Sequence, residues 1–297
     1  MNGIGIHYAY WGHDWDSDFI PLVGKAKKLG FDILEVNPGT VCSVEQAERD
    51  RLKGETIDHE IQLTYCGGLS PQDDISSENQ EARNRGIAFI MREVRVLRQM
   101  GARSLSGVLY GCWPGTFPPG VADKRPYLER SIHSMREVIK RIEDLDFSLN
   151  LEVVNRFEHF LLNTAQEAIA YVDAVGSSRC KILLDTFHMN IEEDSLSAAI
   201  SAVGRRLGHF HIGETNRRPP GRGRIPWDEV LGSLSHIGYQ GPIIMEPFVM
   251  PGGEVGRDIR VFRDLRGTTD MDDEAQRACN FIRSKLETIA ATPGSLP

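Results

Sequence analysis

The sequence predicts an α/β protein folded as a single (β/α)8 TIM barrel over residues 1–290, followed by a disordered tail at 291–297. Three observations carry this. Apolar segments of strand length begin near residues 3, 31, 61, 104, 149, 180, 208 and 242, each followed by sequence of helical period. No linker rich in Pro, Gly or Ser splits the 297 residues, and one closed barrel accommodates this length. Late in several of the segments stands an ionisable residue, as expected where strand ends share one mouth.

In chain order, GIGIHY (Gly3 to Tyr8) alternates apolar residues as a first strand, and the helical stretch through Val23, Ala26 and Leu29 stops at Gly30. FDILEVN (Phe31 to Asn37) is the second strand, and the charged run after it is an exposed helix. EIQLTYC, ending at Cys66, is the third. A loop follows, then a helix that Ser76 or Ser77 caps, with Ile87, Ile90, Met91, Val94 and Leu97 on one face and Gly101 closing it. The fourth strand, SLSGVLYG, runs into 111–126, where four prolines and three glycines exclude regular structure and mark a surface loop. A helix from Tyr127 to Leu145 returns the chain to the strand LNLEVVN. Helices near Ala165–Ala174 and Leu196–Val203 alternate with the strands KILLD and GHFHIGE. An irregular loop then leads to a helix opened by Pro226 and Asp228 and ended by Gly238. The strand GPIIMEPF, an irregular charged segment and a helix near Asp273–Ile289 complete the chain.

Composition narrows the function. A net charge of −8 argues against nucleic-acid binding, which draws its affinity from Lys and Arg on phosphates. No apolar run approaches the ~18 residues of a membrane span, and the first residues form neither a basic leader nor an apolar signal core, so a cytoplasmic protein is expected. The five cysteines are scattered without a CxxC pair, which fits reduced thiols better than disulfides or a cysteine zinc site.

The chemistry centres on KILLDTFH, where the apolar run Ile182–Leu184 leads straight into Asp185 and His188. Glu152, His211 and Glu246 sit equally late in three other strands, about one strand–helix unit apart. If they converge, three carboxylates and an imidazole require a compensating cation, and an oxygen-rich set with one nitrogen suits Mn²⁺ or Mg²⁺ better than structural zinc. Strand alternation lets each of them point inward. Glu152 and Glu246, on the fifth and eighth strands, would face each other across the barrel. Opposed carboxylates at a metal suit proton abstraction beside a carbonyl, passage through an enediolate, and inversion at that carbon. A glycosidase would use a similar pair without the metal, and only geometry separates the two.

The stretches LEVVNRFE, LDTFHMNIEE, GHFHIGETNR, GRIPWDEV and IMEPF resemble the ketose 3-epimerases of the D-tagatose, D-psicose and L-ribulose type, and the resemblance runs from IGIHYAYW to beyond Glu274. It implies that Glu152, Asp185, His211 and Glu246 hold a metal, usually Mn²⁺ with Mg²⁺ or Co²⁺ as substitutes. Glu152 and Glu246 would be the acid/base pair. It also implies that Glu158, His188 and Arg217 bind a free ketose near its carbonyl, that Trp15, Cys66, Trp113 and Phe248 wall the rest of the sugar, and that the protein is a homodimer or homotetramer. His7 departs from the apolar aromatic often found at its position, and Gly107 from an alanine, leaving space; both are expected near the far end of the sugar, where preference is set. An aldose–ketose isomerase of the same barrel family is the runner-up. A metal-dependent DNA-repair endonuclease and a non-catalytic sugar-binding barrel are the remaining alternatives. Blander roles are a helix cap after Asn190 for His188, and solvated surface for three of Arg217, Arg218, Arg222 and Arg224.

Overall fold

Strands rich in Ile, Leu and Val on both faces need cover on both faces; helices returning between parallel strands cover the outer one, and closure of the sheet packs the inner one against itself. The computed structural model, which describes residues 2–291, shows this arrangement. Its elements are β1 (Ile4–His7), α1 (Ile20–Lys28), β2 (Ile33–Val36), α2 (Pro38–Ser43), α3 (Gln46–Asp58), β3 (Gln62–Leu69), α4 (Gln80–Gln99), β4 (Ser104–Cys112), α5 (Arg125–Ile142), β5 (Ser148–Glu152), α6 (Ala165–Val175), β6 (Cys180–Asp185), α7 (Thr186–Glu192), α8 (Leu196–Val203), β7 (Leu207–Ile212), α9 (Trp227–His236), β8 (Ile243–Met245), α10 (Gly253–Asp258) and α11 (Met271–Ala291). Each strand pairs in parallel with the next, and β1 pairs with β8, so the sheet closes as the (β/α)8 barrel expected. Strands and helices share one buried core that includes Ile6, Leu34, Leu105, Leu151, Ile182, Phe210 and Met245.

The local signals mostly place the elements. Thr164 caps α6 by accepting from Glu167 N, and Gly176, at φ 82, ends it. Five details differ. The cap of α4 is Asn79, whose side chain accepts from Glu81 N, rather than Ser76 or Ser77. Ser76 is instead buried with its hydroxyl on Asp74 Oδ1 at 2.7 Å. β3 continues past Cys66 through two glycines, where a Cβ on Gly67 would crowd Pro38 and one on Gly68 would crowd Trp113. α2 starts directly after β2, with Asn37 as cap and Pro38 in its first turn. α7 begins on the last residue of β6: Asp185 caps it by accepting from Phe187 N, so His188 lies inside this helix and caps nothing after Asn190. The segment expected to be irregular near 250–270 contains α10. Of the tail anticipated at 291–297, Ala291 is the last residue of α11 and 292–297 lie outside the described residues.

Candidate active site and metal centre

The strand ends deliver the polar side chains to one point. Glu152 and Asp185 are the last residues of β5 and β6, His211 is the penultimate residue of β7, and Glu246 follows β8 directly. Asp185 is register partner to His211. One donor atom from each of these four buried residues lies within 4.8 Å of the others. His211 turns Nδ1 toward the carboxylates, 3.5 Å from Glu246 Oε1 and 3.7 Å from Glu152 Oε1.

Behind this cluster is a layer that the strand-end pattern does not reveal. Glu35, midway along β2 and 0% exposed, places Oε1 2.8 Å from His211 Nε2 and Oε2 2.8 Å from His209 Nε2. Both imidazoles approach obliquely, short of well-aligned hydrogen bonds, while Thr64 Oγ1 donates to Glu35 Oε2 at 2.9 Å. A carboxylate inside the apolar run of FDILEVN was the available signal.

Above the cluster, Arg217 sits at φ 63 with its guanidinium buried. It donates to Asp185 Oδ2 at 3.1 Å, Glu246 Oε2 at 3.0 Å and Glu158 Oε1 at 3.3 Å, and it lies 3.8 Å over the Phe187 ring. Its loop is pinned by Glu214, which accepts from Gly221 N at 2.7 Å and Trp227 Nε1 at 2.9 Å. Arg218, Arg222 and Arg224 of the same basic run are exposed, so three of its four arginines lie on the surface. His188 accepts from Asn155 N on Nδ1 at 3.1 Å, and its Nε2 faces Glu152 and Asp185, each at 3.8 Å. Trp113 Nε1 donates to Glu158 Oε2 at 3.1 Å.

Glu152, Glu158, His188, Arg217 and Glu246 form one end of a cavity of about 370 Å³, within the ~300–1,000 Å³ usual for small-molecule sites. His7, Trp15, Cys66, Trp113 and Phe248 line its remainder. Trp15 meets Trp113 and Phe248 edge to face, with ring centres 5.9 and 6.1 Å apart. Asp185 and His211 lie beneath its floor. His7 accepts from Ala9 N on Nδ1, and burial holds its basicity below the usual value. Gly107 is a correction: it does not line the cavity. It pairs with Gly67 at φ 123, and an added Cβ would be driven into the Gly67 carbonyl before reaching the cavity. The glycine serves the backbone rather than making room for a sugar.

Electrostatics separates the two facing carboxylates. Burial pushes Glu152 up, the charge of Glu246 adds to this, and contact with His211 opposes it. At Glu246 burial acts in the same direction but is outweighed by His211 and Arg217, so its carboxyl falls well below the usual range. Burial and then Glu152 raise the Cys66 thiol, which suits a wall residue rather than a nucleophile.

A divalent cation fits these residues. Four buried or nearly buried carboxylates, those of Glu152, Glu158, Asp185 and Glu246, surround one guanidinium, and His211 Nδ1 has no hydrogen-bond partner. Burial opposes a charge on His211, yet Glu35 and Glu246 hold its imidazole well above the ordinary value. A cation coordinated there would replace that proton. Three oxygen ligands and one nitrogen make a hard, cysteine-free set.

Residues 23–265 match the family model described as xylose isomerase-like TIM barrel. The chain is 43% identical over 286 residues to D-psicose 3-epimerase of Ruminiclostridium cellulolyticum, covering 95% of this chain and 97% of that one. It is also 43% identical over 285 residues to D-psicose 3-epimerase of Agrobacterium fabrum, covering 95% and 98%. A solved structure of D-psicose 3-epimerase with D-tagatose from Clostridium cellulolyticum superposes with a TM-score of 0.92 at 42% identity, covering 96% of this chain and 99% of that one.

Proposed function

This chain belongs to the xylose isomerase-like TIM barrel family, and from that premise we propose that it is a metal-dependent ketose 3-epimerase acting on free sugars. The observation that carries the proposal is the meeting of Glu152 and Glu246, brought from β5 and β8 to the floor of one cavity, each with an oxygen in the same four-residue cluster. The relatives named D-psicose 3-epimerase, and others named ketose 3-epimerase and L-ribulose 3-epimerase, support the same reaction.

Glu152, Asp185, His211 and Glu246 would hold the cation, Mn²⁺ by preference with Mg²⁺ or Co²⁺ as substitutes, which supplies Lewis-acid withdrawal of charge from the ketose oxygens. The ionised member of the Glu152/Glu246 pair takes the proton from C3. The C3–H electrons move into the C2–C3 bond and onto the C2 oxygen, giving an enediolate. The protonated member then delivers a proton to the opposite face, C3 is inverted, and the two glutamates exchange roles. Glu158, His188 and Arg217 orient the carbonyl end of the sugar. Trp15, Trp113 and Phe248 cover the remainder and exclude water. D-fructose, D-tagatose and L-ribulose are the candidate substrates, with His7 facing their distal carbons.

The test is incubation with each ketose in D₂O, with and without chelator, followed by NMR. Chelator-sensitive deuterium at C3 together with the 3-epimer is expected, and Glu152→Gln or Glu246→Gln should each abolish it. Deuterium at C1 with an aldose product would make the protein an isomerase instead. The free thiols among the described residues fit a cytoplasmic setting, and exposed Phe157 and Phe262 are apolar surface that a homodimer or homotetramer would cover, measurable by light scattering.

A further inference from the structure

We propose that Glu35 is a positioning residue for the metal centre: braced between two imidazoles, it holds His211 so that Nδ1 faces the cation, and thereby sets the affinity of the site. The proposal rests on the metal-dependent function above. An ionised carboxylate in mid-barrel is costly unless its oxygens are met. Around Glu35, His211 Nε2 and His209 Nε2 each stand 2.8 Å from a carboxylate oxygen, obliquely, and Thr64 Oγ1 donates to Oε2 at 2.9 Å.

At 2.8 Å a carboxylate oxygen facing a bare imidazole lone pair would set two acceptors against each other, so Nε2 of each ring carries its proton. In neutral His211 the free lone pair is therefore on Nδ1, the atom turned toward Glu152 and Glu246. The ring is fully buried on β7, between the register partners Asp185 and Ile244, so it cannot turn without displacing Glu35. A carboxylate behind a ligating histidine is a common way to fix its orientation and strengthen its donor atom. Here the carboxylate is itself braced by His209, which lies outside the ligand cluster, and by Thr64 on the neighbouring strand.

The experiment titrates the chelator-stripped full-length protein with Mn²⁺ in the absence of sugar, following free Mn²⁺ by electron paramagnetic resonance. Glu35→Gln keeps the shape of the side chain but sets an N–H against one imidazole, and Mn²⁺ affinity is expected to fall about 10- to 100-fold. Thr64→Val removes only the hydroxyl brace and should weaken Mn²⁺ roughly two- to tenfold. Thermal unfolding of the stripped proteins runs in parallel, since a purely structural role would lower that midpoint and leave the Kd unchanged. An unchanged Kd in folded Glu35→Gln overturns the proposal. If that variant does not fold, an unchanged Kd in Thr64→Val does so. Wild-type protein that binds no Mn²⁺ refutes the metal-dependent function instead, so the two failures are distinguishable.

Discussion

Arg217 offers the sharpest test of how the site balances its charge. Its guanidinium donates to Asp185, Glu246 and Glu158 together, with bonds of 3.1, 3.0 and 3.3 Å. Arg217→Met keeps a side chain over Phe187 but strips the carboxylates of their cation. Breaking a buried ion pair by removing one partner costs about 3–5 kcal/mol, and that loss is expected in the metal-free protein. Mn²⁺ at 100 times its Kd stabilises the folded state by about 2.7 kcal/mol. The gain should be larger in the variant, because the ion no longer shares Asp185 and Glu246 with a guanidinium. Urea unfolding in chelator and in saturating Mn²⁺ should therefore show a loss that is large without metal and distinctly smaller with it. Arg217→Asn, better suited to φ 63, separates out the backbone contribution. An equal loss under both conditions would refute the idea that Arg217 and the cation neutralise the same carboxylates.

Gly107→Ala should destabilise by at least about 1–3 kcal/mol, from the strained φ of 123 and the collision with Gly67, without a change of ketose preference separable from that loss; thermal unfolding and substrate ranking check both. Trp113→Phe removes the hydrogen bond to Glu158 and should raise KM roughly tenfold while moving kcat little, as steady-state kinetics would show. His159, which is not part of the candidate metal cluster, is a pH probe. Burial, aided by Lys124 and opposed by a backbone bond to Cys112, lowers its pKa to about 3. The unfolded chain, with pKa ~6.5, then binds the extra proton between these values, so stability is full above ~6.5 and declines as pH falls, by about 2–3 kcal/mol at pH 4.5. His159→Asn keeps an acceptor for Leu161 N and should flatten that decline in urea midpoints measured against pH; parallel curves would refute the assignment.

The barrel was legible because its strands are covered on both faces and therefore appear as short apolar runs, and an acid or histidine at the end of such a run has few places to go except the shared mouth. That logic finds Glu152, Asp185, His211 and Glu246, and it misses Glu35 for the same reason. Glu35 lies between Leu34 and Val36 in mid-strand, where a carboxylate is tolerable only because His209 and His211, more than 170 residues later, close on its two oxygens. Pairings over that separation leave no local period. The helix α7 was hidden differently: Asp185 is both the last residue of β6 and the cap of α7, so no turn residues separate the two elements. His188 thereby lies within a helix, and Asn155, from the loop after β5, decides which of its nitrogens faces the cluster. Gly107 shows the converse limit. A missing side chain is equally consistent with room for a ligand and with a backbone that admits no Cβ, and only the φ of 123 against Gly67 distinguishes them. Strand ends are thus readable one residue at a time, whereas the groups that orient them are defined by pairs, and pairs of this kind exist only once the barrel has closed.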